Sequence, residues 1–272
     1  MSTSSGSWGR DEHLNGDMKV ALASFIEKVS LANLERVRYT AESQDMVALR
    51  FLRARKFDVD KALVLLTECN EMFDKYDADG CAAMGEEAAA GCDPDVLTTF
   101  YPHTQWRYDK EGRLLLWEAN GCVNLHALET VVRRENLIKY HFWTMLTRLN
   151  ELFSEGVANA AGQKVVWTTA VLDFEGLSMH HFSSKMFTHL KTMVAIDNVC
   201  FPEMLGKLVV LNAPALATTG WKMIKGWLDP RTQEKIELLS SGEPSRKRLL
   251  ELVDADSVPR SLGGKAEEVF TT

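Results

Sequence analysis

The run FLRARKFD, residues 51–58, sets Arg53, Arg55 and Lys56 among apolar side chains. Three cations so close together cannot all enter an apolar core, because a buried charge needs a partner. Two arrangements are open: a solvated turn between helices, or basic groups held rigidly against something anionic. Phe51, Leu52 and Phe57 have the character of anchors, and Asp58 that of the N-cap of the next helix. Other chemistry-bearing residues are less suggestive. A helix would put His181 and His189 about two turns apart, and no carboxylate partner is implied for them or for His180. Asp173 and Glu175 flank a strand end, where α/β enzymes can carry acids, yet paired carboxylates in such loops are common. Asp229 before Pro230 reads as a helix terminator with a capping side chain. Thr232 and Lys235, read alone, are solvated helix residues. No GxSxG, HExxH, Walker loop or GxGxxG occurs. No catalytic constellation rises above the background.

The elements around these residues fall into two regimes. From Met18 to about Arg38, Leu22, Phe25, Ile26 and Val29 recur at helical spacing. A second helix runs from about Ser43 through Ala54. Asp58 then caps VDKALVLLTECNEMFDKY, whose apolar stripe includes Ala62, Leu65, Leu66, Cys69 and Phe73. DADG breaks this helical set, and GEEAAAGCDP is open between a short helix and a loop. After Pro102 the period changes. A hairpin turn at Glu111–Gly112 precedes a buried strand, Leu114 to Glu118, stopped by Gly121. A long helix is expected from about Leu128 to Phe153, carrying Trp143, Met145, Leu146 and Leu149. KVVWTTAVLD and GKLVVLNAP are nearly continuous apolar runs, the pattern of strands covered on both sides, with a helical stretch between them. The alternation makes the second part of the chain α/β. After Pro214, Leu216, Trp221, Met223, Ile224, Trp227 and Leu228 crowd one short segment. It either packs into a core or covers an apolar cavity and touches a membrane surface. Gly220 and Gly226 within it suggest hinges.

Composition limits the classes open to the chain. Its 272 residues can bury a substantial core, and 46% hydrophobic content is ordinary for a globular protein. A formal net charge of −7 argues against a nucleic-acid partner, while leaving room for a local basic site. Cys69, Cys81, Cys92, Cys122 and Cys200 lack CxxC or Cys/His metal spacing and read as reduced thiols, so no metal is expected. MSTSSGSWGRDEHLNG has no apolar core for a signal peptide, and no stretch approaches the roughly 18 apolar residues needed to span a bilayer. The expectation is a soluble, cytoplasmic protein.

Taken together, FLRARKFDVDKAL, YDKEGRLLLWEANGCVNLH, VLDFEGLS, FPEMLGKLVVLNAP, WLDPRTQEKI and VPRSLGG resemble, in order and spacing, the CRAL-TRIO family. The resemblance is to its yeast-type phosphatidylinositol/phosphatidylcholine transfer members and covers about residues 18 to 265. It implies an α/β protein with an N-terminal helical bundle, followed by a lipid-binding domain with a mixed sheet and a helical gate. The expected division is a tail at 1–17, the helical domain at 18–95, the lipid domain at 96–265 and a tail at 266–272. The gate falls on about Ala215 to Leu228, so Trp221, Ile224, Trp227 and Leu228 become its apolar face.

The same resemblance assigns Arg55, Lys56, Glu203, Thr232 and Lys235 to the inositol phosphate site. The chemistry agrees, because a phosphodiester needs cationic donors and a hydroxyl. At the second-ligand positions Thr168 keeps one of the family's two strand hydroxyls, Ala170 loses the other, and Gln105, Leu116 and Met145 stand where aromatics are usual. An aromatic cage favours a quaternary ammonium by cation–π attraction, and these residues do not supply one. Met204 stands where an arginine is usual. The resemblance therefore implies a non-enzymatic carrier of phosphatidylinositol, a monomer with transient membrane contact and no cofactor beyond the bound lipid. Two alternatives stay open: a carrier of a sterol, tocopherol-like or other small hydrophobic lipid, and a lipid-sensing module that binds a regulatory partner.

Overall fold

The computed structural model describes residues 14–155 and 164–267, with the backbone alone at 105–107 and 155. The chain forms two compact units that alternate along the sequence. One comprises Met1–Gly85, Ile138–Val166 and Ala195–Met204, and the other Glu86–Leu137, Trp167–Val194 and Leu205–Thr272. The outer parts of the two expected tails lie outside the described residues.

The first unit is helical. Its opening helices are α1 (Gly16–Lys28), α2 (Leu31–Arg36), α3 (Gln44–Ala54), α4 (Val59–Tyr76) and α5 (Ala78–Ala83). The single helix expected over Met18–Arg38 is two. The chain leaves the helical region at Val29 (φ −74°, ψ 145°) and at Ser30 (φ −68°, ψ 116°). A β-branched residue followed by serine is a weak place to continue a helix, and it breaks there. Ser43 caps α3 by accepting from Met46 N, and Asp58 caps α4 by accepting from Lys61 N. The α4 stripe of Ala62, Leu65, Leu66, Cys69 and Phe73 is buried. Asp77, left-handed at φ 54°, ends α4, but DADG does not break the helical set as expected, because Ala78, Asp79 and Gly80 open α5 directly after it. The later chain adds Phe142, whose ring meets Phe73 edge-on at 5.8 Å.

A buried ion pair fixes this unit from within. Arg50 Nε and Nη2 donate to the two Glu42 carboxylate oxygens at 2.6 and 2.9 Å, and Nη2 also donates to the Val37 carbonyl. The guanidinium lies 4.7 Å from the Tyr39 ring centroid. Desolvation of such a pair is expensive, and the short contacts of Nε and Nη2 offset part of that expense, while the buried Nη1 has no hydrogen-bond partner among the described residues.

The second unit is α/β. It holds α6 (Glu86–Ala90), α7 (Pro94–Phe100), strands β1 (His103–Tyr108) and β2 (Leu114–Glu118), α8 (Leu125–Val131) and the first residues of α9 (Arg134–Glu155). Then come β3 (Thr168–Asp173), most of α10 (Ser184–Cys200), β4 (Leu205–Leu211), α11 (Ala215–Ile224), α12 (Pro230–Gln233), β5 (Ile236–Leu238) and α13 (Glu243–Leu252). The helix expected from Leu128 to Phe153 is also two, because Val132 is extended (φ −126°, ψ 129°) after α8. The Val131–Val132 pair, β-branched twice over, marks the break.

The five strands lie in the order β1-β2-β3-β4-β5, with β1 antiparallel to β2 and the rest parallel. Asp109 organises the opening hairpin. Its carboxylate accepts from the backbone N–H of Glu111 and Arg113, from the Arg113 guanidinium and from the Thr169 hydroxyl. β2 ends at Glu118, and Gly121 in the 3-10 turn after it allows a close approach of backbone, since a Cβ there would lie 2.0 Å from the Glu175 carbonyl oxygen. On one sheet face, Leu115, Trp117, Val171, Val209 and Leu211 are buried under Leu249, Leu252 and Val253 of the α13 region. The opposite face is less covered than the continuous apolar runs suggest. Leu116, Ala170, Leu208 and Ile236 on it are half-buried, between the buried Leu114 and Thr168 on one side and the buried Val210 on the other.

Candidate functional site

In the helical unit, Arg55 and Lys56 sit in a tight turn between α3 and α4. Leu52 O accepts from Arg55 N at 3.1 Å and from Phe57 N at 2.7 Å, and Arg55 O accepts from Asp58 N at 3.0 Å. Lys56 (φ 53°) and Phe57 (φ 63°) are both left-handed. That conformation costs a non-glycine residue about 1 kcal/mol or more. The buried Phe51 and Leu52 on one side and the Asp58 cap on the other hold the turn in place. The run is thus a turn between two helices whose backbone is fixed by its own hydrogen bonds. Lys56 is exposed, and Arg55 is half-buried with Nη1 donating to Ala54 O at 3.2 Å. Arg55 also lines a shallow open cavity of about 260 Å³ together with Asp60, Lys61, Val64, Leu65 and Glu68. Glu203 lies in the same unit, again left-handed at φ 63° and half-buried, in a turn anchored by the buried Phe201 and Met204. Met204, where the family pattern has arginine, is core.

In the α/β unit, Thr232 and Lys235 share one turn. Asp229 accepts from Arg231 N to start α12, Asp229 O accepts from Thr232 N at 2.9 Å, and Thr232 O accepts from Lys235 N at 3.1 Å. Lys235 Nζ donates to Leu205 O at 2.8 Å, which fixes the ammonium beside the start of β4. Sequence patterning gives these two residues no special standing. The turn that joins them carries them into β5, a strand too short to show an apolar period.

Three of the five second-ligand positions share one cross-strand row. Gln105 pairs with Leu116, Leu116 with Ala170, Ala170 with Leu208 and Leu208 with Ile236. The Gln105 side chain lies outside the described residues. Thr168 stands two residues before Ala170 on β3 and is buried. Met145, half-buried on α9, belongs to the helical unit.

The two-tryptophan segment is amphipathic. Ala217 and Gly220 are buried, and Trp221, Ile224, Trp227 and Leu228 are half-buried. Thr218, Thr219, Lys222, Met223 and Lys225 face outward and are exposed. The Trp227 ring meets Phe187 edge-on at 6.5 Å, and Phe187 in turn meets Phe182 at 6.0 Å. Gly220 is a packing glycine, since a Cβ there would come 3.0 Å from Phe182 Cε1. Gly226 has open space around it. Among the described residues, no group of three or more His, Cys, Asp or Glu side chains could hold a metal ion, and no helix is long and apolar enough to cross a membrane.

A mixed sheet with one half-covered apolar face and an amphipathic helical segment after β4 defines a class. The chain belongs to the CRAL/TRIO domain family, whose pattern matches residues 101–264, and the family's N-terminal domain matches residues 18–68. The SEC14 cytosolic factor of Candida glabrata is 30% identical over 87% of this chain and 76% of that protein. The phosphatidylinositol/phosphatidylcholine transfer protein SFH12 of Arabidopsis thaliana is 29% identical over 79% of this chain and 38% of its own length. The crystal structure of Sfh5 shares the fold, with a TM-score of 0.67 at 16% identity, covering 89% of this chain and 85% of that one.

Proposed function

We propose that this chain is a carrier that draws phosphatidylinositol from one membrane and delivers it to another, without covalent chemistry. The observation that carries this reading is the apolar row Leu116–Ala170–Leu208–Ile236 in the α/β unit. It is half-buried, in the same unit as a helical segment whose apolar side is turned inward. An acyl chain gains about 0.8 kcal/mol per methylene on leaving water. A lipid passing from bilayer to protein exchanges one apolar setting for another, so transfer needs no external energy. Lys235, Arg55 and Lys56 serve the phosphodiester as charge-assisted donors, Thr232 offers a hydroxyl, and Glu203 accepts from inositol hydroxyls. Trp221 and Trp227 meet the interface when the segment opens, since indole rings suit that boundary. The protein works as a cytoplasmic monomer with brief membrane contact.

The same row weighs against phosphatidylcholine as the second cargo, although Thr168 keeps one hydroxyl nearby. Leu116 and Ala170 offer a choline group neither an aromatic face nor a hydroxyl. An uncharged lipid suits them better. The test is competition between phosphatidylinositol and phosphatidylcholine with equal acyl chains, beside mass spectrometry of lipid that co-purifies. Uptake of phosphatidylinositol about tenfold above phosphatidylcholine is expected, from the worth of a missing cation–π contact. Equal uptake removes the argument about the row. A single neutral lipid and no phosphatidylinositol makes the protein a sterol-type carrier, and no lipid at all makes it a partner-binding module.

A further inference from the structure

Gln233 stands between Thr232 and Lys235, and its side chain reaches back to the apolar segment. Its Nε2 donates to Lys225 O at 2.8 Å and to Leu228 O at 3.0 Å. These carbonyls belong to the end of that segment, where Lys225–Trp227 is a 3-10 turn and Leu228 its C-cap. A helix end leaves its last carbonyls without intrahelical donors. Here one primary amide reaches both Leu228 O and Lys225 O, the latter also accepting from Leu228 N at 3.2 Å. Both partners are acceptors, so only the NH2 group can face them, and the orientation of the amide follows from chemistry. Gln233 is itself fixed, because Asp229 O accepts from its backbone N–H at 3.0 Å.

We infer that Gln233 is a positioning residue that couples headgroup capture to closure of the gate. The inference rests on the phosphatidylinositol reading. A headgroup held by Thr232 and Lys235 steadies α12, and α12 steadies Lys225–Leu228 through the Gln233 amide. Loss of the headgroup frees the turn, and the end of the gate is freed with it. Recognition of the right cargo is thereby converted into retention of that cargo.

Two variants test this. Gln233→Glu keeps the shape, but an ionised carboxylate cannot donate and repels both carbonyls; Gln233→Leu keeps the volume and removes the amide. Each is loaded with fluorescent phosphatidylinositol and mixed with phosphatidylcholine acceptor vesicles. Release rate, bound stoichiometry and hydrogen exchange of the 225–228 amides are recorded with and without cargo. In the wild type, cargo should slow exchange at these amides. In both variants that protection should disappear, and release should be about tenfold faster at unchanged stoichiometry, the worth of one to two hydrogen bonds. Wild-type release rates with cargo-dependent protection intact overturn the coupling, as does a fall in stoichiometry with no change in release. If the wild type takes up no phosphatidylinositol, the functional reading fails separately. The Gln233 contact is then decided by the cargo-free protein, where the 225–228 amides must exchange faster in both variants than in the wild type.

Discussion

Removing the Lys235 ammonium separates the charge of the site from its shape. Nζ is half-buried and already directed by its 2.8 Å bond to Leu205 O, so little ordering remains to be done when an anion arrives. Truncation has two effects of different size. Loss of the hydrogen bond to Leu205 O costs the fold about 1 kcal/mol, which lowers the melting midpoint of a chain this long by roughly 2–4 °C. The phosphodiester loses a charge-assisted bond of about 1.5–3 kcal/mol, or roughly 10- to 150-fold in affinity. Lys235→Met keeps most of the stem and should behave like Lys235→Ala. Adding Arg55→Ala removes a second cation from a turn already held rigid, and should deepen the loss by about another tenfold if the two act independently. The assay is transfer of fluorescent phosphatidylinositol between vesicles, with thermal unfolding run in parallel. Unchanged transfer in both the single and the Arg55→Ala/Lys235→Ala double variant would refute the headgroup assignment. Lost transfer with lost cooperative unfolding would refute the separation of the two effects.

Lys222 and Lys225, exposed beside Met223 on the outer face of α11 and the turn after it, oppose the net charge of the chain. Each should strengthen binding to phosphatidylserine vesicles about fivefold, the effect of about 1 kcal/mol per charge near an anionic surface; alanine variants that sediment with such vesicles like the wild type contradict this. Arg50→Met strands the Glu42 carboxylate in a site with 0% side-chain exposure and should cost about 3–5 kcal/mol in denaturant titration. Arg50→Met/Glu42→Leu should recover most of it, and a double variant no better than the single one defeats the pairing argument. Glu237 accepts from Arg248 at 2.7 and 2.8 Å, and that contact, with Lys207 adding to it, holds its carboxyl below the ordinary value of 4.5. The unfolded chain therefore takes up the proton first, so stability present at neutral pH is lost as pH falls below that value. Glu237→Gln should flatten this acid limb, and an unaltered pH–stability curve rules the contribution out.

Local chemistry was the most legible part of the fold. Ser43, Asp58 and the bounds of β2 could be read because a cap or a buried run announces itself within a few residues. The breaks at Val29 and Val132 were hidden by apolar spacing that stays in helical phase across them. Strand β5 is three residues behind a charged turn and has no room for a period. The family motifs named Arg55, Lys56, Glu203, Thr232 and Lys235, yet neither the paired left-handed residues at 56 and 57 nor the Lys235–Leu205 bond leaves a mark in composition. Arg50 carries no local signal because Glu42 lies eight residues upstream. Gly220 looks like a hinge in sequence because nothing there reveals the ring of Phe182. Gln233, a polar residue in a polar stretch, could be singled out only by the two carbonyls it reaches.

The helical unit draws on three separate stretches of chain, the last of them Ala195–Met204. On a ribosome its first five helices emerge early but have no complete set of partners. Phe73 waits for Phe142, and Phe142 for Phe201, whose ring lies 5.9 Å away. At a usual synthesis rate, on the order of 10 s separates the appearance of Gly85 from that of Met204. During that interval α4 can pack against α1, α2 and α3, but Phe73 lacks the ring contact that Phe142 later supplies. The same logic sets how the protein can be cut for study. A fragment ending near residue 95 would lack Phe142 and Phe201, the ring that Phe73 meets and the ring that meets it in turn, while keeping the turn at Lys56 with the Leu52 and Asp58 contacts that hold it.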